Sequence, residues 1–131
     1  MVAFFIIDSV EKRKAAANYV ARIASKPLMS VEIKPYKKNR SQAQNRLYRM
    51  WLGIIAETTG EDDDDLHEQL KARILGFESK IILGEAVRMP KSTTKITVDE
   101  FSHYLNAVEH LATELNITLP MPDDAAYALG R

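Results

Sequence analysis

The chain has 131 residues, with 18 basic and 18 acidic side chains, 46% hydrophobic residues and no cysteine. This length predicts one domain, residues 1–131, with an ordinary core, and the lack of cysteine excludes disulfide scaffolds, Cys-ligated zinc sites and cysteine nucleophiles. No uncharged run approaches the roughly 18 residues that cross a bilayer, and no signal peptide is recognisable, so we expect a cytoplasmic protein without a membrane partner.

The amino-terminal third predicts a strand, a helix and a second strand. Residues 3–7 form an apolar run typical of a buried strand, and Asp8 with Glu11 fits the capping box of a helix over about 9–25. Residues 28–36 alternate apolar and polar side chains, which predicts a half-exposed strand.

A second helix is expected to begin at Ser41, with Gln44 at the box position, and to end at Gly60. Apolar residues at helical spacing give this helix a core stripe, made of Leu47, Met50, Trp51, Ile54 and Ile55.

The second half predicts two more helices. The first follows a run of acids and closes at Gly76. A short strand over 80–83 and an irregular stretch over 84–95 come next. Thr97 and Glu100 then form a capping box that opens the most regular helix of the chain.

These elements predict an α+β fold: a single small domain of about four helices and a small sheet of two or three strands. The tail, residues 120–131, is bounded by Pro120 and Pro122 and reads as polar and poorly ordered, with at most one weak turn.

The net charge of zero conceals an asymmetry along the chain. Residues 1–60 contain 11 Lys and Arg against 4 Asp and Glu, a net charge of +7, and residues 61–131 contain 7 against 14, a net charge of −7. Such a division indicates either a basic patch for a polyanion or two subunit surfaces of opposite charge.

The basic charge is densest over residues 34–49, here called the basic window. It holds six cations and no acid: Lys34, Lys37, Lys38, Arg40, Arg46 and Arg49. Asn45 and Arg49 lie one helical turn apart, away from the core stripe. Cations near a helix amino terminus can bind phosphates, and Tyr36 or Tyr48 could stack on a splayed base. A solvated basic face has the same pattern.

Two other clusters allow a functional and a structural interpretation. The acids of 61–65, with His67 and Glu68, could form the metal site of a nuclease, but they also suit a helix amino terminus. Lys91 and Lys95 enclose three hydroxyl residues that could bind phosphate or simply form a turn.

Catalytic motifs are missing from the sequence. It has no GxxxxGK[ST] phosphate-binding loop and no order or spacing that suggests a Ser/His/Asp triad. We therefore expect a binding protein, not an enzyme, with no catalytic residues, no cofactor and no metal ligand.

Two blocks of the sequence resemble the phage NinB (Orf) family of recombination-mediator proteins. The first matches the family's NRSxxQNR…LG signature through Asn39-Arg40-Ser41, Gln44-Asn45-Arg46 and Leu52-Gly53. The second is the Lys91-Ser92-Thr93-Thr94-Lys95 stretch before Phe101 and Leu105. The resemblance covers residues from about 30 to 117. It departs at Tyr48, where relatives carry tryptophan, and in the short acidic region after Leu119.

The resemblance implies an intertwined homodimer of phage or prophage origin in the bacterial host cytoplasm. It also implies binding of single-stranded DNA without sequence preference, assistance in recombinase loading, and the host single-strand-binding protein as a further partner. Residues expected at the DNA are Tyr36, Lys37, Lys38, Arg40, Gln44, Asn45, Arg46, Tyr48, Arg49, Lys91 and Lys95. The alternatives are a metal-dependent nuclease that uses the acidic cluster 61–68 and a protein–protein adaptor that binds no DNA.

Overall fold

The computed structural model describes residues 3–24, 27–36 and 39–131, and those ranges contain five α-helices and two β-strands. In chain order the elements are α1 (Val10–Arg22), α2 (Arg40–Thr59), α3 (Asp63–Ile74), β1 (Phe77–Ile82), β2 (Glu85–Pro90), α4 (Val98–Glu114) and α5 (Ala125–Leu129). The strands pair antiparallel. The predicted α+β class is confirmed. None of the helices in the described ranges is long and apolar enough to span a membrane.

The core forms where α2 packs against α4 and α5. Leu47, Trp51 and Ile55 of the predicted stripe are at most 1% exposed. Because a buried indole N–H needs an acceptor, Trp51 donates to the carbonyl oxygen of Pro120 at 2.8 Å. This bond fixes the chain that leads into α5 to the middle of α2.

Helix α4 begins as the sequence predicted. The Thr97 hydroxyl accepts from the backbone N–H of Glu100 at 3.1 Å, and the Glu100 carboxylate accepts from the N–H of Thr97 at 3.2 Å. The reciprocal pair satisfies two N–H groups that the first helical turn leaves unbonded. The buried face that follows consists of Phe101, Ser102, Tyr104, Leu105, Val108 and Ala112.

The predicted cap of α2 is wrong. Asn39, not Ser41, precedes the helix, and its side chain accepts from the N–H of Gln42 at 3.0 Å. Ser41 is exposed in the first turn. Gln44, the expected box partner, is 2% exposed and its amide nitrogen lies within 3.1 Å of three acceptors on α4 and α5. Asn and Ser cap about equally well, so the capping preference alone does not choose between positions 39 and 41.

Residues 3–7 and 28–36 do not form the predicted strands. Neither range pairs with any strand in the part of the chain that is described. Leu28 and Ile33 are 98% and 87% exposed. An alternating pattern fits a pleated surface only when a neighbouring strand supplies hydrogen bonds, and the pattern alone cannot say whether such a neighbour exists.

The sheet lies partly where an irregular stretch was predicted. Strand β1 contains most of the predicted strand 80–83, but β2 falls within 84–95. Leu83 and Gly84 have φ of 53° and 80°, as both central residues do in a type I′ hairpin turn. Leucine is uncommon at the first of these positions, so the residues at this turn do not match the usual hairpin pattern.

Helix α1 is shorter than predicted and rests only lightly on the domain. Ser9, one residue after the expected Asp8, accepts from the N–H of Lys12 at 3.2 Å, and the helix ends at Arg22. No residue of α1 is buried.

The carboxyl-terminal region is better packed than its composition indicated. Ala125, Ala128 and Leu129 of α5 are at most 3% exposed and belong to the core. Small apolar residues fill the space between α2 and α4, so the region after Pro120 contains a packed helix where a poorly ordered tail with a weak turn was expected.

Candidate nucleic-acid interface

The basic window contains both paired and free cations. The Arg40 guanidinium contacts the Asp99 carboxylate at 3.1 Å and the Ser102 hydroxyl at 2.5 Å. Arg46 contacts Asp124 at 2.6 Å. Two of the predicted phosphate ligands therefore already bind carboxylates. Lys37 and Lys38, also predicted to bind DNA, lie outside the described residues.

Arg40 is placed as a structural residue of the domain. Its guanidinium lies against Gly130, where any side chain would collide with it, and Gly130 has a φ of 74°. Together with the bonds to α4, this contact holds the carboxyl terminus beside the start of α2. Arg40 is consequently a poor phosphate ligand, because binding DNA would require it to leave these partners.

Asn45 and Arg49 lie on the exposed side of α2, one turn apart. Arg49 is exposed and forms no ion pair with any described residue, so its charge is available to an anionic ligand. Gly53 continues the same stripe one turn later, and no described atom outside its own helix backbone lies within 4 Å of the position that an added Cβ would occupy. This face is open to a ligand along two helical turns.

An aromatic cluster borders this face. The Arg46 guanidinium lies 3.8 Å from the centre of the Phe4 ring, an arrangement in which the ring face attracts the cation. The rings of Phe4 and Tyr36 are 6.2 Å apart. Tyr36 is 42% exposed, and desolvation followed by the negative charge of Asp124 raises its pKa above the usual value. We call Phe4, Tyr36 and Arg46 the aromatic–arginine cluster.

Tyr48 and Gln44 are unavailable to DNA, contrary to the prediction. Tyr48 is 3% exposed, and its hydroxyl lies 2.5 Å from Nδ1 of His67 and 3.0 Å from the hydroxyl of Tyr104. Burial raises the pKa of Tyr48 and of Tyr104. The core stripe of α2 is wider than the predicted residues, and positions 44 and 48 lie within it.

An acid near the carboxyl terminus, Asp123, holds the amino-terminal segment in place. Asp123 accepts from the ammonium group of Lys12 and from the N–H of Ile6, the latter at 3.0 Å. The Lys12 bond is the main reason that the pKa of Asp123 is lowered. Neither Phe4 nor Asp123 was predicted from the sequence to lie at the site. The only available signal was the aromatic pair within residues 3–7, which was assigned to a strand.

Lys91 and Lys95 lie in a separate region. Both are exposed, in the segment between β2 and α4, where Ser92 caps a short 3₁₀ turn over Thr93–Lys95. Within the described ranges, no hydrogen bond or ion pair connects either lysine to α2. The structure therefore does not join them to the aromatic–arginine cluster.

The acidic cluster 61–68 serves the amino terminus of α3. The Asp62 carboxylate accepts from the N–H groups of Asp64 and Asp65 at 2.9 and 3.1 Å. Negative charge at this end of a helix is favourable because the helix dipole is positive there. Among the described residues, no three His, Asp or Glu side chains converge on a point that could hold a metal ion. The geometry favours the structural interpretation of these acids.

The fold is similar to that of a solved protein described as "Structural Genomics, NinB". The two chains are 23% identical with a TM-score of 0.61, and the similarity covers 95% of this chain and 98% of the other. At this level of identity the similarity is one of fold. No protein-family model and no curated protein matches the sequence.

Proposed function

We propose that the protein binds single-stranded DNA without reading its sequence, and that it is a non-catalytic recombination mediator of phage or prophage origin in the host cytoplasm. The observation that carries this proposal is the position of the aromatic–arginine cluster beside the exposed face of Asn45 and Arg49. Cations that follow a phosphate backbone, next to aromatic rings on which bases stack, are how proteins hold single strands.

A single strand fits this surface better than a duplex. In a duplex the faces of each base are covered by the neighbouring bases, so they cannot stack on a half-exposed tyrosine such as Tyr36. A splayed base of a single strand can stack on the ring. Arg46 uses one terminal nitrogen for Asp124, and the other guanidinium donors are not bonded to any described residue. They could reach a phosphate while the ion pair stays intact.

The recombination role depends on similarity. The fold is similar to that of a protein described as NinB, and the two sequence blocks lie in the same order as in the NinB family. Within the chain, the first block includes Asn45 and Arg46, which are part of the proposed binding surface. The contribution to recombinase loading and the host single-strand-binding protein as a partner are proposed from this resemblance.

We also propose that the protein works as a homodimer. Several large apolar side chains of the described residues are uncovered in one chain, among them Leu28, Met29, Val31, Ile33, Ile81 and Leu83. A two-stranded hairpin alone is at best marginally stable in water; here β2 packs against α3, but among the described residues no third strand pairs with β1 or β2. A second copy that covered the hairpin and residues 27–36 would bury these apolar side chains and support the hairpin.

Binding to single-stranded, duplex and forked DNA at two salt concentrations tests the function. We expect a preference for the single strand and a slope of log affinity against log salt between about −2 and −3.5, which corresponds to three to five phosphates. The first variant is Arg49→Gln. The second is the double variant Arg46→Gln with Asp124→Asn, in which both members of the ion pair are neutral and no carboxylate is left without its partner. Arg73→Gln is the control, because Arg73 is exposed on α3 outside the basic window.

Weaker binding by the first two variants and not by the control would support the proposal. Binding that is absent, or indifferent to salt, would contradict it. If DNA binding were absent while dimerisation weakened as salt was raised, the adaptor alternative would be favoured. Cleavage of the labelled strand with Mg²⁺ or Mn²⁺ would favour the nuclease instead.

A further inference from the structure

Neighbouring residues of the amino-terminal segment belong to two different aromatic clusters. Phe4 contacts Arg46 and Tyr36, whereas the ring of Phe5 meets that of Tyr19 on α1 edge-on, with 5.7 Å between centres. Consecutive Cα atoms are about 3.8 Å apart, so one short segment of chain joins the two clusters. The bond from Ile6 N–H to Asp123 fixes the segment that carries both rings.

The Phe5–Tyr19 pair lines an open cleft of about 530 Å³. Its walls are formed by Phe5, Ala15, Asn18, Tyr19, Arg22 and Ile23. The volume lies within the range of about 300–1,000 Å³ that is typical of small-molecule sites. Two aromatic rings, one amide and one guanidinium give the cleft the groups that bind a nucleotide: faces for a base, a partner for its edge and a cation for phosphate.

The charge of α1 favours an anionic occupant. The helix contains four Lys and Arg and a single acid, Glu11. Lys14, Asn18 and Arg22 are spaced four residues apart and share one face. Neither Lys14 nor Arg22 forms an ion pair with a described residue. The helix dipole explains a basic residue in the last turn, but it does not explain why that residue borders an aromatic cleft.

We propose that this cleft is a second nucleotide subsite for the single strand that binds the aromatic–arginine cluster. A base stacks on Tyr19 or Phe5, the amide of Asn18 contacts the base edge, and Arg22 binds the adjoining phosphate. This inference rests on the proposed function and extends the DNA path from α2 onto α1. The polar contacts of Asn18 suit several bases, so the subsite adds affinity without sequence preference.

The test measures the binding of oligothymidylate by Tyr19→Leu, which keeps apolar volume but removes the ring, and by Arg22→Gln. Stacking on one aromatic side chain is worth about 1–3 kcal/mol, so we expect Tyr19→Leu to bind at least about fivefold more weakly with an unchanged salt slope. Arg22→Gln should reduce the steepness of that slope by about 0.7, the share of one phosphate. Arg73→Gln, a charge-matched control on α3, should retain the wild-type slope.

Photocrosslinking of wild-type protein to 5-iodouracil-substituted strands provides a measurement that does not depend on variant folding. We expect crosslinks to Phe5 or Tyr19 in addition to Phe4 or Tyr36. If the wild type binds single strands but both variants bind as tightly as it does, or crosslinks avoid Phe5 and Tyr19, the subsite is wrong and the proposed function stands. An equal loss of slope in Arg22→Gln and Arg73→Gln also overturns the subsite. If the wild type binds no single strand, the proposed function itself fails.

Discussion

Arg46 on α2 and Asp124 beside α5 are 78 residues apart in sequence and form an ion pair of 2.6 Å in which the two side chains are unequally buried. The carboxylate is 4% exposed and the guanidinium 29%. Lys12 with Asp123 and Arg40 with Asp99 likewise join the basic half of the sequence to the acidic half. The fold thus partly neutralises the charge division of the chain and leaves Arg49 as a free cation of the basic window.

The unequal burial predicts an unequal response to mutation. Arg46→Ala should destabilise the domain by about 1–3 kcal/mol, because it leaves a buried carboxylate without its partner. Asp124→Asn should cost less, since Arg46 can be solvated and the Asp124 side chain makes no capping bond to α5. Urea denaturation of the two variants measures the difference. Equal losses would contradict this account of the pair.

A second prediction separates the observed cap of α2 from the one the sequence suggested. Asn39→Ala removes the side chain that accepts from Gln42 N–H and should cost about 1 kcal/mol of unfolding free energy. Ser41→Ala is the matched control, because this exposed hydroxyl has no bond to a described residue and alanine is a good helix former. In thermal denaturation at neutral pH, Asn39→Ala should lose more stability than Ser41→Ala. A larger loss in Ser41→Ala would indicate that Ser41 is the cap.

The sequence predicted those elements whose signals are local. The capping box of Thr97 and Glu100 and the stripe around Trp51 were found because bonds and spacing within one helix define them. The predictions of strands over 3–7 and 28–36 were wrong because strand pairing depends on a partner that is distant in sequence. Tyr48 was misassigned for a related reason. Its neighbours His67 and Tyr104 come from α3 and α4, and the sequence around Tyr48 does not predict these contacts.

The site was predictable to a similar extent. Helical spacing was enough to place Asn45 and Arg49 on the exposed face of α2. That Arg46 would lie on Phe4 and bind Asp124 depends on both ends of the chain meeting α2, which is a property of the tertiary fold. Counting charges along the sequence therefore overestimated the free positive charge of the basic window.

Gly53 gives a third prediction. A glycine inside a helix costs roughly 0.5–1 kcal/mol relative to alanine, and at Gly53 no described atom lies within 4 Å of an added Cβ. Gly53→Ala should raise the unfolding free energy by that amount. Gly60→Ala is the control with the opposite sign, because the φ of 77° at Gly60 is strained for a side chain. Urea denaturation checks both. Destabilisation by Gly53→Ala would indicate that another chain fills the space.

The last prediction concerns the pH dependence of stability through His67. Burial, followed by the positive charges of Lys71 and Arg49, lowers the pKa of His67 below its usual value of 6.5. As pH falls below about 6.5, the unfolded chain binds a proton at this site that the folded chain does not, so the unfolding free energy decreases. The loss continues until the lowered folded-state pKa is reached, with a contribution of at most about 1.4 kcal/mol per pH unit.

His67→Gln should remove this contribution, because the Gln amide can keep a hydrogen bond with the Tyr48 hydroxyl but takes up no proton. Urea denaturation between pH 7.5 and 5 then gives a shallower decline for the variant than for wild type. His103→Gln, which removes an exposed imidazole from α4, controls for the loss of one histidine. A parallel decline of His67→Gln and wild type would show that the lowered pKa of His67 is not the origin of the acid sensitivity. Asp123 does not contribute in this range, because a carboxyl whose folded-state pKa is lowered from 3.8 loses its stabilising effect only below about pH 5.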